Sequence, residues 1–169
     1  NVDRASGYEP GLQYIEAGSS EIHPLVGGEP RFADISPDNR YVVYTNRSDP
    51  GLFLKRFPRG EGLVALTSED ASASRWSRDG KAIFFWQGDT LMTIAVDSAS
   101  DDPRPGPITA LFSANDNRLL PGYNYDVAQD GRLLMLQRTD DPSASTEDPG
   151  IVIIQNWAAE FAAAGAEVQ

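Results

Sequence analysis

The 169-residue chain contains 40% hydrophobic and 23% charged residues, a balance typical of folded globular domains and not of disordered chains. Its formal net charge of -11 argues against nucleic-acid binding, which needs a basic surface, and its lack of cysteine excludes disulfide scaffolds and thiolate metal sites. No apolar run approaches the roughly 20 residues that span a bilayer, so we expect a protein that does not span a membrane.

The first part of the chain predicts a short lead-in followed by the end of a repeated unit. Residues 1–10 are polar and include Gly7 and Pro10, which favours an extended lead-in. Residues 11–30 contain two expected strands, 11–16 and 21–26, in which apolar and polar positions alternate. The Gly11-Leu12 dipeptide recurs at Gly51-Leu52, which indicates that these strands belong to the second half of a unit.

Two complete four-strand units are predicted next, at 31–67 and 73–112. Strands are expected at 32–36, 40–45, 52–57 and 62–67 in the first unit, and at 73–77, 81–86, 90–96 and 108–112 in the second. In both units the first two strands are joined by a short turn with the same pattern, which reads Ser36-Pro37-Asp38-Asn39-Arg40 and then Ser77-Arg78-Asp79-Gly80-Lys81.

A third unit is predicted at 123–155, with strands at 123–127, 132–138 and 151–155. Its turn reads Gln129-Asp130-Gly131-Arg132, and an insertion rich in Asp, Ser and Pro occupies 139–150. The fourth strand is missing. In its place we expect a short Ala-rich helix at 156–165, begun by Asn156, with Trp157 and Phe161 on one face.

The second strand of each unit is continuously apolar. Such a run suits a strand that is covered on both faces, whereas a sandwich would show a cleaner alternation. With a period near 40 residues, this pattern predicts one all-β domain over 1–169, built from four-stranded antiparallel β-propeller blades, two full and two partial. The runs are Val42-Val43-Tyr44, Ile83-Phe84-Phe85-Trp86 and Leu133-Leu134-Met135-Leu136.

The turn sequences 36–40 and 76–81 resemble the strand-turn-strand motif of TolB-type, WD-repeat-like β-propellers of bacteria, and the resemblance covers about 12–155. The stretch from Leu120 to Trp157 also resembles the C-terminal end of bacterial propeller regions, including those fused to serine/threonine kinases. Asn39 and Gln129 depart from the motif, since they replace a Gly and a Pro. The resemblance implies a periplasmic or extracellular binding platform and not a reaction.

No residue pattern predicts catalysis, a cofactor or a built metal site. Asp38, Asp79 and Asp130 could form a metal-binding or catalytic array. Their place in the turns instead predicts that they accept hydrogen bonds from backbone N–H groups. His23 is the one histidine, and the sequence has no nucleophile elbow or Walker loop around which catalysis could be built. Trp76 and Trp86 are expected to pack between blades.

An acidic face is predicted at one end of the blades. In a four-stranded meander, the second-to-third connection and the connection to the next unit lie at the same end of the sheet. This face could attract a cationic protein partner or loosely held divalent metal, while a solvated loop face is the simpler alternative. Its carboxylates are Asp49, Glu69, Asp70, Asp89, Asp116, Asp140, Asp141, Glu147 and Asp148.

Two full and two partial blades fall short of the roughly four to eight that close a ring, so we expect apolar sheet faces to be exposed at both ends. The chain begins at Asn1 and not at Met, which favours a piece of a longer polypeptide that holds the missing blades. Alternatively, two copies associate into a ring.

The predicted function is a non-catalytic binding or scaffold module for protein partners. The alternative is the regulatory or gating propeller of a larger enzyme, either a prolyl-oligopeptidase-like hydrolase or a receptor-type kinase.

Overall fold

A computed structural model describes residues 10–122 and 124–138 and the backbone of 151–154. The chain is all-β over these residues, as predicted, with thirteen strands and one short helix. Most of the expected lead-in (1–9), the insertion at 139–150 and the expected helix at 156–165 lie outside the described residues.

The strands form four antiparallel sheets in which consecutive strands are neighbours, and none of the described sheets is closed on itself. Sheet 1 contains β1 (Gly11–Ile15) and β2 (Ile22–Gly27). Sheet 2 contains β3 (Pro30–Ile35), β4 (Tyr41–Asn46), β5 (Leu52–Arg56) and β6 (Val64–Thr67). Sheet 3 contains β7 (Ser72–Trp76), β8 (Ala82–Gln87), β9 (Thr90–Ala95) and β10 (Ile108–Ser113). After helix α1 (Ala114–Asn117), sheet 4 contains β11 (Tyr125–Val127), β12 (Leu133–Leu136) and β13 (Ile151–Ile154).

Every strand expected from the sequence is present, with ends that differ by at most two residues. Helix α1 was not predicted. Its N-cap is Ser113, whose hydroxyl accepts a hydrogen bond from the Asn115 backbone N–H at 3.3 Å, and its C-cap is Arg118, in a left-handed conformation with a φ of 54°. A single turn of this kind has no hydrophobic period, so the sequence offered only its serine cap as a signal.

The hairpin turns confirm the structural role predicted for the recurrent aspartates. The Ser77 hydroxyl donates to Asp79 Oδ1 at 2.6 Å and accepts from the backbone N–H of Ala82 at 2.9 Å, and Asp79 accepts from the Lys81 N–H at 3.1 Å. The hydrogen bond from Ser77 is the main reason that the pKa of Asp79 lies below its usual value. The same bonds recur around Ser36 and Asp38.

The third turn shares the aspartate but not the serine. Asp130 accepts from the Arg132 backbone N–H at 3.2 Å, while Ala128 stands where the other turns have Ser36 and Ser77. The glycine position also varies: Asn39 has a φ of 58° and Gly80 a φ of 71°. Asparagine tolerates the left-handed region, so the departure at Asn39 leaves the turn intact, as expected.

The central strands of sheets 2 and 3 bury both faces, as predicted. On β4, Tyr41 and Val43 belong to the core shared with sheet 3, whereas Val42 and Tyr44 belong to the core shared with sheet 1. On β8, Phe85 faces sheet 2 and Trp86 faces sheet 4. This explains why these strands show no polar alternation.

The two tryptophans of sheet 3 lie in different cores, as expected. Trp76 is 4% exposed between sheets 2 and 3, and Trp86 is fully buried between sheets 3 and 4. The Trp86 ring meets that of Tyr125 edge to face, with 6.2 Å between the ring centroids. Burying side chains of this size stabilises the contacts between sheets by roughly 2–3 kcal/mol each.

The first strands β3, β7 and β11 join the sheets to one another by repeated contacts. The Ser74 hydroxyl donates to the Phe32 carbonyl at 2.7 Å, and the Tyr125 hydroxyl donates to the Ala73 carbonyl at 2.6 Å. Phe32 and Ala73 have φ values of 55° and 49°, and the pairing register shifts at both places, as in a β-bulge. Because successive first strands meet in the same sense, sheets 2, 3 and 4 share a common orientation.

This common orientation gives the sheets two distinct ends. The turn end holds the β3–β4, β7–β8 and β11–β12 turns, together with the β1–β2, β5–β6 and β9–β10 connections. The loop end holds the β2–β3, β4–β5, β6–β7 and β8–β9 connections and helix α1.

Candidate functional site at the loop end

The loop end carries the described part of the predicted acidic face. Asp49 lies between β4 and β5, Glu69 and Asp70 lie between β6 and β7, Asp89 lies between β8 and β9, and Asp116 lies in α1. All five residues are exposed. The four remaining carboxylates predicted for this face, Asp140, Asp141, Glu147 and Asp148, lie outside the described residues.

Side-chain amides hold two of these carboxylates in place at the loop end of sheet 3. Glu69 accepts a hydrogen bond from the side-chain amide of Gln87, at the end of β8. Two residues further on, Asp89 accepts from Asn115 Nδ2 at 2.9 Å, and Asn115 precedes Asp116 in α1. Glu69, Asp89 and Asp116, here called the acidic row, all lie at the loop end, and amide side chains help to hold the first two in place.

Helix α1 is fixed to this row by its backbone as well. The backbone N–H of Ala114 donates to the Asp89 carbonyl at 2.7 Å, and the Ala114 side chain is fully buried. The short helix thus positions Asp116 beside the β8–β9 turn, a relationship that the strand pattern alone did not predict.

Asp49 belongs to the neighbouring sheet 2. Burial raises the pKa of the Tyr44 phenol, and the negative charge of Asp49 raises it further. Asp49 therefore lies close enough to Tyr44 on β4 to act on it electrostatically. It extends the acidic surface from sheet 3 towards sheet 2.

Guanidinium groups interrupt the acidic surface, and the sequence pattern did not predict them there. A shallow pocket of about 190 Å³ beside α1 is lined by Asp89 and Asn115 and also by Arg118 and Arg138. The Arg138 backbone N–H donates to the Arg118 carbonyl at 2.7 Å, which places the two arginines side by side. The loop end is therefore a mixed surface with an acidic row on one side of α1.

The arrangement suits electrostatic attraction better than tight metal binding. Within the described ranges, no three His, Cys, Asp or Glu side chains come together as a group that could hold a metal ion. A row of separate carboxylates attracts cationic groups without enclosing one ion.

His23 lies away from the loop end. Its ring stacks on that of Tyr14, with centroids 4.8 Å apart and planes 20° apart, across the β1–β2 pair.

In the part of the chain that the structure describes, no helix is both long enough and apolar enough to cross a membrane.

Both ends of the row of sheets expose apolar surface, as expected. A groove of about 350 Å³ lies between sheets 1 and 2, lined by Leu12, Tyr14 and Leu25 on one side and by Ile35, Val42 and Phe57 on the other. Ile15, Ile22 and Ile35 are 58%, 49% and 43% exposed. On sheet 4, Leu134 is 44% exposed although Leu133 and Met135 are buried.

Comparison with known proteins gives little further information. No family model matches the chain, and no curated protein sequence matches it. Among solved structures, the chain is similar to one described as a "putative 6-phosphogluconolactonase" from Bacteroides uniformis ATCC 8492, with a TM-score of 0.48 and 15% identity over 75% of this chain. The chain spans 40% of that protein's length. A likeness this distant carries no argument about activity or substrate.

Proposed function

We propose that the chain is a non-catalytic binding or scaffold module for a protein partner, built from blades of a TolB-type β-propeller. The proposal of blades is supported by the repeated turns, by central strands buried on both faces and by the recurrent contacts between first strands. Four-stranded meanders related in this way are the unit from which propellers are built.

The row of Glu69, Asp89 and Asp116 carries the functional proposal. Gln87 and Asn115 hold two of its carboxylates, so little side-chain freedom remains to be lost when a partner binds. Each exposed ion pair contributes only about 0–1 kcal/mol, so a row of several charges is needed for useful affinity. We therefore propose a basic protein segment as the partner of the loop end.

The test compares two triple substitutions that each remove three negative charges. E69Q/D89N/D116N removes the three charges of the row and keeps an oxygen acceptor for the amides of Gln87 and Asn115, and E16Q/E21Q/E61Q makes the same charge change at the turn end. The probe is an oligolysine peptide, with binding measured at ~0.1 M and ~1 M salt, where the Debye length falls from about 10 to about 3 Å.

We expect the loop-end variant to bind the peptide several-fold more weakly at low salt and the turn-end variant to bind it nearly as well as the wild type. Equal weakening in both variants would show that net charge, and not this surface, attracts the peptide. Binding that does not respond to salt would also contradict the proposal.

We further propose that other blades cover the exposed apolar side chains of sheet 1. The exposed Ile15 and Ile22 support this, because exposed apolar patches usually mark contact surfaces. A second copy would complete a ring, whereas blades of a longer polypeptide would make the chain the regulatory or gating part of an enzyme. Sedimentation distinguishes a ring of two copies from blades of a longer polypeptide. A monomer that binds no hydrophobic dye contradicts self-association.

A further inference from the structure

Three arginines line one pocket at the turn end of sheet 2. The pocket has a volume of about 360 Å³, and its lining consists of Arg40, Arg56, Phe57, Arg59 and Glu61. Arg40 precedes β4, Arg56 ends β5, and Arg59 lies in the β5–β6 connection. The whole chain has 14 basic and 25 acidic residues, so a lining with three arginines and one carboxylate reverses the overall charge locally.

Backbone hydrogen bonds bring these arginines together. The N–H of Phe57 donates to the Arg40 carbonyl at 2.8 Å, which joins the start of β4 to the end of β5. The chain then turns back at once, since the Gly60 N–H donates to the Arg56 carbonyl at 2.8 Å. The backbone of Arg59 therefore lies within a closed turn, beside the other two arginines.

The β9–β10 connection of sheet 3 orients two of the guanidinium groups. That of Arg40 donates to the Ala99 carbonyl and pairs with Asp101, and that of Arg56 donates to the Asp101 carbonyl. Both groups also lie near the Tyr41 ring, at 6.0 and 5.7 Å from its centroid. Contacts of this kind restrict the rotamers before a ligand arrives, which lowers the entropy cost of binding.

The pocket retains donors that these contacts do not use. Arg40 donates two hydrogen bonds from its guanidinium and Arg56 donates one, fewer than the N–H groups that a guanidinium carries. Within the described ranges, the exposed Arg59 side chain makes no hydrogen bond or ion pair, and Glu61 pairs with none of the three arginines. The lining therefore presents positive charge for which these residues supply little compensation.

A phosphate group is the ligand chemistry that suits this arrangement best. Guanidinium groups that come from β4, β5 and the β5–β6 turn need an acceptor with oxygens in several directions. A phosphate monoester offers three strong acceptor oxygens and a charge of roughly -1.5 to -2 at pH 7. A carboxylate has its two oxygens in one plane, so it matches a single guanidinium better than a group of three.

Phe57 gives the same pocket an aromatic wall. Its half-buried ring meets that of Tyr14 edge to face, with 5.2 Å between the ring centroids. A ring or an apolar group attached to the phosphate would bury surface against this wall, which adds to the attraction of the charges. The lining thus favours an organic phosphate over the free ion.

We propose that this pocket, here called the arginine pocket, binds a phosphate monoester of a small aromatic or apolar molecule. The phosphate oxygens accept hydrogen bonds from Arg40, Arg56 and Arg59, and the rest of the ligand contacts Phe57. The pocket lies at the opposite end of the sheets from the acidic row. The inference is therefore independent of the proposed binding of a basic protein segment.

Isothermal titration calorimetry on the full chain tests the proposal, with phenyl phosphate as the probe and with benzoate and inorganic phosphate for comparison at equal ionic strength. Arg59→Gln is the test variant, because this exposed side chain has no partner among the described residues and its loss should leave the fold intact. Arg31→Gln is the matched control, since it removes an exposed arginine at the loop end.

We expect phenyl phosphate to bind saturably and more tightly than either comparison probe. Arg59→Gln should weaken this binding about two- to fivefold, the effect of one partly exposed ion pair, and Arg31→Gln should leave it unchanged. The proposal is overturned if no probe binds saturably, if benzoate binds as tightly as phenyl phosphate, or if both variants weaken binding equally. Equal affinity for inorganic phosphate would overturn the contact assigned to Phe57.

Nuclear magnetic resonance then locates the ligand. The backbone amide shifts of 56–62, at the arginine pocket, are followed during a titration with phenyl phosphate and compared with those of 87–91, around the β8–β9 turn at the loop end. We expect changes that saturate at 56–62 and are absent at 87–91. Changes that are as large at 87–91 would contradict the proposed site.

Discussion

Asp34 accepts a hydrogen bond from the backbone N–H of Trp76, with 2.8 Å between Oδ2 and the nitrogen, and this contact joins the first strands of sheets 2 and 3. The carboxylate lies half-buried at the seam. Burial raises its pKa above the usual value, although the hydrogen bond from Trp76 and the charge of Arg75 partly oppose the shift.

The raised pKa of Asp34 gives stability a pH dependence. The folded state binds the proton more tightly than the unfolded state, so this group lowers the free energy of unfolding as pH rises from below about 3.9 through the folded pKa. D34N keeps an oxygen acceptor for Trp76 and removes the charge. We expect D34N to be more stable relative to the wild type at pH 7 than at pH 3, so that the difference in unfolding free energy (D34N minus wild type) is larger at pH 7.

Urea unfolding at the two pH values measures this difference. D130N is the matched control, because hydrogen bonds from Arg132 lower the pKa of Asp130 and its effect should have the opposite sign. A D34N difference that is the same at both pH values would mean that the charge of Asp34 does not affect the seam.

The second prediction concerns the buried hydroxyl of Tyr125. It donates to the Ala73 carbonyl at 2.6 Å and also lies 3.1 Å from the Phe84 carbonyl. Y125F leaves these buried acceptors without their donor, so we expect a loss of about 1–3 kcal/mol in the unfolding free energy. Y41F is the control, since it removes a bond to the less buried carbonyl of Ser100 and should cost less. Equal costs from chemical denaturation would contradict the role assigned to this contact.

The third prediction uses the natural difference among the turns. A128S introduces a hydroxyl at the position that Ser36 and Ser77 occupy, next to Asp130. We expect the unfolding free energy to rise by about 0.5–1.5 kcal/mol, the net value of one added hydrogen bond. S77A should lower it by a similar amount. An A128S protein with lower stability in thermal or urea unfolding would show that the third turn has a different geometry.

The fourth prediction concerns Gly80, which has a φ of 71°. A Cβ atom here would lie 2.4 Å from Ser98 Oγ, so Gly80→Ala must displace the Ser98 hydroxyl, which donates to Asp38. We expect a loss of more than the roughly 1–2 kcal/mol that a left-handed alanine costs by itself. Faster hydrogen exchange at the Ser98 amide should accompany it, because that amide bonds to the Gly80 carbonyl at 2.9 Å. Asn39→Gly, at the matching position of sheet 2, should be nearly neutral, and a large effect there would contradict the argument.

Much of the fold followed from local sequence. The turn at Ser77, Asp79 and Gly80 is closed by hydrogen bonds between residues at most five positions apart, so its pattern could be read wherever it recurs. The apolar runs in β4 and β8 predicted burial on both faces because strand residues alternate between faces and no position was polar.

The sequence by itself determined the strands, their turns and the all-β class, because each depends on neighbours in the chain. Only the tertiary structure decided how the sheets meet. The bond from Trp76 to Asp34 and the pairing of Arg40 with Asp101 join residues 42 and 61 positions apart, which no local pattern specifies. The acidic row depends in the same way on α1 reaching Asp89, so its carboxylates could be named from the sequence although their arrangement could not.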